Sequence, residues 1–204
     1  MMNAPIQTTV ARPFPVTPAA DWLPASGVRR VAAGLGLAAA FAGLTVLGAN
    51  IIIPLEPVPI TMQTLFVLLA GASIGAGWGS LSQWMYVALG VAGLPVFADG
   101  RSGIGVLGGP SGGYLIAFLV APWVIGTMLR RSNRLAWQIF SFTVGKLLIL
   151  TLGVAHLTLF YTHDLGRSLA VGVVPFLAGG AFKIVAAVSI HRSSQALVRH
   201  YRSR

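Results

Sequence analysis

Residues 93–114 read GLPVFADGRSGIGVLGGPSGGY. Eight glycines and two prolines in this run exclude a continuous helix, because glycine costs backbone entropy while proline lacks an N–H and clashes with the preceding turn. Asp99 and Arg101 are its charges, in a chain of which only 9% is charged. Apolar runs of membrane-spanning length flank it on both sides. Irregular backbone in such a place is tolerated only where protein, water or a ligand satisfies its polar groups. The stretch therefore reads as a loop that closes one end of a ligand pocket, with Arg101 as its charged group.

Composition agrees with a lipid setting. The chain has 204 residues, enough for one domain, is 55% hydrophobic and has a mean hydropathy of +0.80. Soluble domains carry about 25% charged residues. There is no cysteine, so disulfides and thiolate metal sites are excluded. The net charge of +10 would suggest nucleic acid in a soluble protein. Here the arginines sit at the ends of apolar runs, as topology determinants do, and no basic helix face with interleaved aromatics exists to bind nucleic acid.

Working outward, residues 1–28 form a proline-rich lead with Pro5, Pro13, Pro15, Pro18 and Pro24, expected to be flexible and cytoplasmic, and residues 29–204 form the membrane domain. The expected fold is all-α, a bundle of six transmembrane helices with a glycine-rich outer loop and a proline-rich lid loop. The spans are placed at residues 31–49, 61–75, 80–97, 114–129, 135–160 and a last stretch after 168. Residues 76–79 are expected as a tight turn and 161–168 as a polar turn. Pro175 argues for a short outer segment ending at Val174 and a final helix opening at the proline and running to about Arg199. On the first span, Gly34, Ala38 and Ala42 recur every four residues and share a face that another helix can approach closely. Residues 50–60 hold three prolines and one charge, Glu56, and read as extended.

Six spans put both ends on one side. The lead, second loop, fourth loop and tail hold Arg12, Arg29, Arg30, Arg130, Arg131, Arg134, Arg192, Arg199, Arg202 and Arg204. The other loops hold Arg101 and Arg167 with Glu56, Asp99 and Asp164. The positive-inside rule then makes both termini cytoplasmic and turns the glycine and proline loops outward.

Three cations need an explanation: Arg101, Lys146 and Lys183. A lysine at the bilayer centre costs roughly 2.5–3.5 kcal/mol on insertion scales, and no acid lies inside a span to offset it. A bound carboxylate would. Lys183 falls near the outer end of the last helix, where the N-terminus favours anions. Snorkelling or a bond to loop carbonyls is the other reading for it. Lys146 is structural or pore-lining. Trp84, Tyr86, Phe97 and Tyr114 belong to the interface belt or the core, and one or two of them wall a ligand ring. His156 reads as packed or hydrogen-bonded, and the histidines lack metal-ligand spacing. GIGVLG (103–108) fits G-x-G-x-x-G but follows no strand of a βαβ unit, and no P-loop exists. No catalytic dyad or nucleophile elbow appears, so the chain is expected to bind rather than catalyse and to need no cofactor.

Two segments carry a resemblance. IPLEPVPITMQTLFVLLAG (53–71) and GLPVFADGRSGIGVLGGPSGGYLIAF (93–118) closely resemble the BioY family, the biotin-binding membrane subunits of energy-coupling-factor (ECF) transporters. The likeness continues through GKLLILTLGVAHL (145–157) and PFLAGGAFK (175–183). It implies a six-helix subunit in the plasma membrane, biotin held near the outer face, and the first loop as a lid. It also implies a transmembrane coupling protein and two ATPases as partners. Ala38 and Ala42 fit the alanine-x-x-x-alanine docking motif of the family's first helix. Arg101 falls in the loop where a basic residue meets the ligand, and Lys183 matches the sixth-helix lysine. Many relatives read PGD-x-x-K there, whereas this chain has Gly180 in the acid's place. Gln63, Gln83 and Asn50, which both donate and accept, are the candidates to replace it. Tyr86 and Tyr114 complete the expected substrate-binding set.

Overall fold

The computed structural model describes residues 27–202. The expected lead therefore lies almost wholly outside the described residues, as do Arg12 and Arg204. Seven helices and one two-stranded hairpin follow in order: α1 (Val28–Asn50), β1 (Ile52–Ile53), β2 (Ile60–Thr61), α2 (Gln63–Val91), α3 (Gly105–Gly108), α4 (Gly112–Leu129), α5 (Leu135–Leu157), α6 (Leu165–Gly172) and α7 (Val174–Arg202). Five of the helices are long and apolar enough to cross a membrane. Large side chains such as Trp123, Phe140, Leu147, Phe182 and Val185 are more than half exposed. That is what a bundle solvated by acyl chains displays, and what a water-soluble surface avoids. The chain is a multi-pass membrane protein.

One of the five long helices is folded in two. Gly75 breaks α2 with φ 83° and ψ 174°, a backbone state that side-chain-bearing residues rarely adopt. Gln63 and Tyr86 hydrogen-bond to each other across this break. In an unbroken helix they would stand about 34 Å apart, at 1.5 Å per residue. The arms 63–74 and 76–91 therefore run antiparallel. The turn expected at 76–79 is in fact helical, and the reversal is carried by the single residue before it.

The arms pack closely because small residues meet backbone. A Cβ added at Gly71 would stand 2.7 Å from Pro122 Cα of α4, and one at Gly126 would stand 2.7 Å from Ala76 Cα. Lipid tails are as apolar as leucine, so bundle cohesion here comes from dispersion across such close approaches rather than from water exclusion. Leu68, Ala117, Ala121, Ile125, Phe142 and Ile149 fill the centre, each 1% exposed or less.

Three boundaries differ from the sequence reading. Helix α2 ends at Val91, not near residue 97, because Gly93 takes a positive φ of 103° and Pro95 follows. Helix α5 ends at Leu157 in a wide turn over Thr158–Thr162. Helix α6 begins inside the expected polar turn, since the Asp164 carboxylate accepts the Arg167 N–H at 2.7 Å and caps it. Pro175 lies in the first turn of α7, where its missing N–H costs nothing.

The small-residue face of α1 is also placed. Gly34 lies against the Trp78 ring of α2, and Ala38 and Ala42 are 0% and 2% exposed. This face is spent on packing inside the chain, so Ala38 and Ala42 are not open to a partner helix unless α1 leaves α2. The outer side of α1 carries a second stripe, Ala32, Gly36, Ala40 and Gly43, all exposed.

Candidate ligand-binding site

Two irregular segments and helices α2, α3, α4, α5 and α7 border a pocket that is open on one side. The proline-rich segment, held by the β1–β2 ladder that pairs Ile52 with Thr61 and Ile53 with Ile60, contributes Val58, Pro59 and Thr61. The glycine-rich segment contributes Phe97, Ala98 and Arg101, and α3 adds Val106. Ser111, Tyr114, Leu115 and Phe118 come from the start of α4 and the residue before it, Lys146 and Ile149 from α5, and Phe176 from α7. Glycine matters at this end because a Cβ at Gly112 would overlap the Leu107 carbonyl oxygen and one at Gly113 would overlap His156 Cβ, and His156 Nε2 lies 3.1 Å from the Gly109 carbonyl oxygen, tying the loop to α5. His156 is thus hydrogen-bonded, and among the described residues no three His, Asp or Glu side chains come together to hold a metal.

A polar chain ties the two segments together. Thr61 Oγ1 donates to Gln63 Oε1 at 2.6 Å, Gln63 Nε2 donates to the Tyr86 hydroxyl, and that hydroxyl donates to the Val96 carbonyl at 3.2 Å. Lys183 Nζ donates to the Thr61 carbonyl at 2.6 Å and approaches Thr64 Oγ1 at 3.4 Å. On the opposite wall the Tyr114 hydroxyl donates to the Gly172 carbonyl at 2.8 Å, and its ring stacks on Phe176 with centroids 5.9 Å apart. Tyr86 meets Phe97 edge to face at 5.6 Å. Such pairs fix ring orientation and offer flat apolar walls to a bicyclic or aromatic guest.

Of the expected site residues, Arg101, Gln63 and Tyr114 line the cavity. Tyr86 supports it from behind through Gln63, and Lys183 through Thr61. Gln83 and Asn50 are elsewhere. Gln83 is fully buried between α1 and α2, donating to Thr45 Oγ1 at 3.1 Å and Ser82 Oγ at 3.0 Å. Asn50 is exposed in the last turn of α1 and donates to the Val46 carbonyl at 2.9 Å. Of the four aromatics, Phe97 and Tyr114 wall the cavity, whereas Trp84 is 57% exposed. Lys146 proves cavity-lining, and Phe176 was missed. Its signal was Pro175, which set the start of α7 at this end. Gly180 lies against Lys146, and a Cβ there would stand 3.0 Å from its Cε and 3.8 Å from its Nζ.

The charge is one-sided. Arg101 and Lys146 line the cavity, Lys183 lies just behind it, and among the described residues no acid borders it. Asp99 pairs with Arg101 at 3.6 Å, but both side chains are about half exposed, where such pairs contribute little. A largely apolar hollow with a net positive lining suits a small organic acid. A helical membrane bundle built around one such hollow is a membrane-embedded solute-binding protein.

Comparison with known proteins makes this specific. The model of the BioY family matches residues 20–200. A "Biotin transporter BioY" of Thermotoga maritima is 43% identical over 150 residues, 74% of this chain and 88% of that one. A "Biotin transporter BioY2" of Lactococcus lactis is 37% identical over 164 residues, 76% of this chain and 88% of that one. The crystal structure of the S-component for biotin from an ECF-type ABC transporter superposes with a TM-score of 0.76 at 28% identity, covering 88% of this chain and 96% of that one. The chain belongs to the BioY family.

Proposed function

We propose that this chain is the biotin-binding S subunit of an ECF-type uptake transporter, a binding protein and not an enzyme. The observation that carries the reading is the cavity itself: a hollow walled by Phe97, Tyr114, Phe118 and Phe176, with the cationic side chains of Arg101 and Lys146 and no acid on its described lining. Biotin offers a compact fused ring, an aliphatic tail and one carboxylate, which match apolar walls and a fixed positive group. The similarity to biotin transporters and to an S-component for biotin supports the same ligand. Biotin arrives from outside, the proline-rich segment closes over it, and ATP hydrolysis on separate subunits drives its release inward. The test is equilibrium binding of biotin to the purified chain without partners. Saturable one-to-one binding that other vitamin carboxylates fail to displace is expected. Absence of binding, or equal displacement by another carboxylate vitamin, overturns the assignment.

The antiparallel arms of α2 make the five long helices into six crossings of the plasma membrane. With Arg29, Arg30, Arg130, Arg131, Arg134 and Arg192 on one side, both termini are cytoplasmic. Because the chain has no cysteine, a single introduced thiol reports its side cleanly. Ser102→Cys is expected to react with a membrane-impermeant maleimide in intact cells, and Ser132→Cys only after lysis. The reverse pattern would invert the topology. On this reading the coupling protein and two ATPases dock from the inner side. Helix α1 is largely exposed on its outer side and presents Ala32, Gly36, Ala40 and Gly43 for close helix approach.

A further inference from the structure

Lys146 is the group the reading above leaves without a task. It projects from the middle of α5, is 5% exposed and lines the cavity. The other two cations differ: Lys183 donates to the Thr61 carbonyl at 2.6 Å, and Arg101 is about half exposed at the rim, where water reaches it. Lys146 has no hydrogen-bond acceptor and no acidic partner among the described residues. Its Nζ lies 5.8 Å from the centroid of the Phe176 ring, a contact that offsets only part of the loss of water. The described acids, Glu56, Asp99 and Asp164, are all absent from the cavity lining. Gly180 places no side chain between α7 and the lysine. A buried ammonium in this state lacks one thing, an anion.

We infer that Lys146 receives the carboxylate of the ligand, as an ion pair against Phe176. The rest of the ligand then extends toward the rim where Arg101 stands. The inference rests on the biotin reading and adds to it the polarity of the bound molecule. It also gives the cavity its preference for an acid over the neutral amide, because only a full negative charge neutralises the lysine, while a neutral carbonyl offers it one hydrogen bond.

The test pairs two variants with two ligands. The full chain in nanodiscs, as wild type, Lys146→Met and Lys146→Arg, is titrated by calorimetry with biotin and with biotinamide, which keeps the rings and loses the charge. Wild type is expected to prefer biotin at least thirtyfold. Lys146→Met should bind biotin at least thirtyfold more weakly and biotinamide within threefold of wild type. Lys146→Arg, which keeps the charge, should stay within fivefold for biotin. Ligand-free Lys146→Met should melt no lower than wild type, since it loses an unpaired buried charge. Equal weakening of both ligands in Lys146→Met, or no change in either, overturns the inference while leaving biotin as ligand. Equal affinity of wild type for the two ligands also overturns it. Failure of wild type to bind biotin removes the functional reading itself, and this inference with it.

Discussion

Gly126→Leu is expected to abolish accumulation of folded protein. A Cβ at Gly126 would stand 2.7 Å from Ala76 Cα and 2.9 Å from the Gly71 carbonyl oxygen. These are backbone atoms of the turn that reverses α2, so no side-chain rotation relieves the overlap. Overpacking of this kind costs about 3 kcal/mol, the upper end of its usual range, and a leucine adds three more carbons to the same space. Domains hold only about 5–15 kcal/mol in total. Gly43→Ala is the paired control. It meets nothing within 4 Å and gains helix propensity worth up to about 1 kcal/mol. Size-exclusion profiles and thermal melts in detergent read both variants. A Gly126→Leu protein that is monodisperse and melts with wild type would show that α2 and α4 do not meet as described.

Lys183→Ala carries the second large effect, expected as biotin binding weakened at least tenfold in a protein that remains folded. The structure gives it a route. Lys183 Nζ holds the Thr61 carbonyl at 2.6 Å, and Thr61 belongs to the hairpin and lines the cavity. Hydrogen bonds to charged groups contribute about 1.5–3 kcal/mol, or roughly ten- to a hundredfold if the loss falls on the covered form. The change is expected mainly as faster dissociation, read by stopped-flow displacement of labelled biotin. Unchanged affinity would remove Lys183 from the site and from its cover.

Much of this was legible in the chain. The runs of glycine and proline marked both irregular segments, and those segments do meet over a cavity. The near-absence of acids pointed to an organic anion before any geometry was known. Other features are invisible one residue at a time. GASIGAGWG (71–79) holds four glycines, and only Gly75 has the positive φ that reverses the chain. The repeat of Gly34, Ala38 and Ala42 showed that a helix approaches that face. It could not show that the neighbour is the chain's own α2. Lys146 was ambiguous because α5 is apolar on nearly every side, so periodicity gave no inner face. Gln83 and Asn50 looked like Gln63, a polar amide near a helix end, and only packing separates the one that reaches the cavity from the two that do not.

The bond relay from Thr61 through Gln63 and Tyr86 to Val96 has a kinetic meaning. The proline-rich and glycine-rich walls of the hollow are joined through one amide side chain, Gln63, so displacing either wall strains the bonds that hold the other. Opening one wall is then expected to loosen the other, so the two part more readily together than singly.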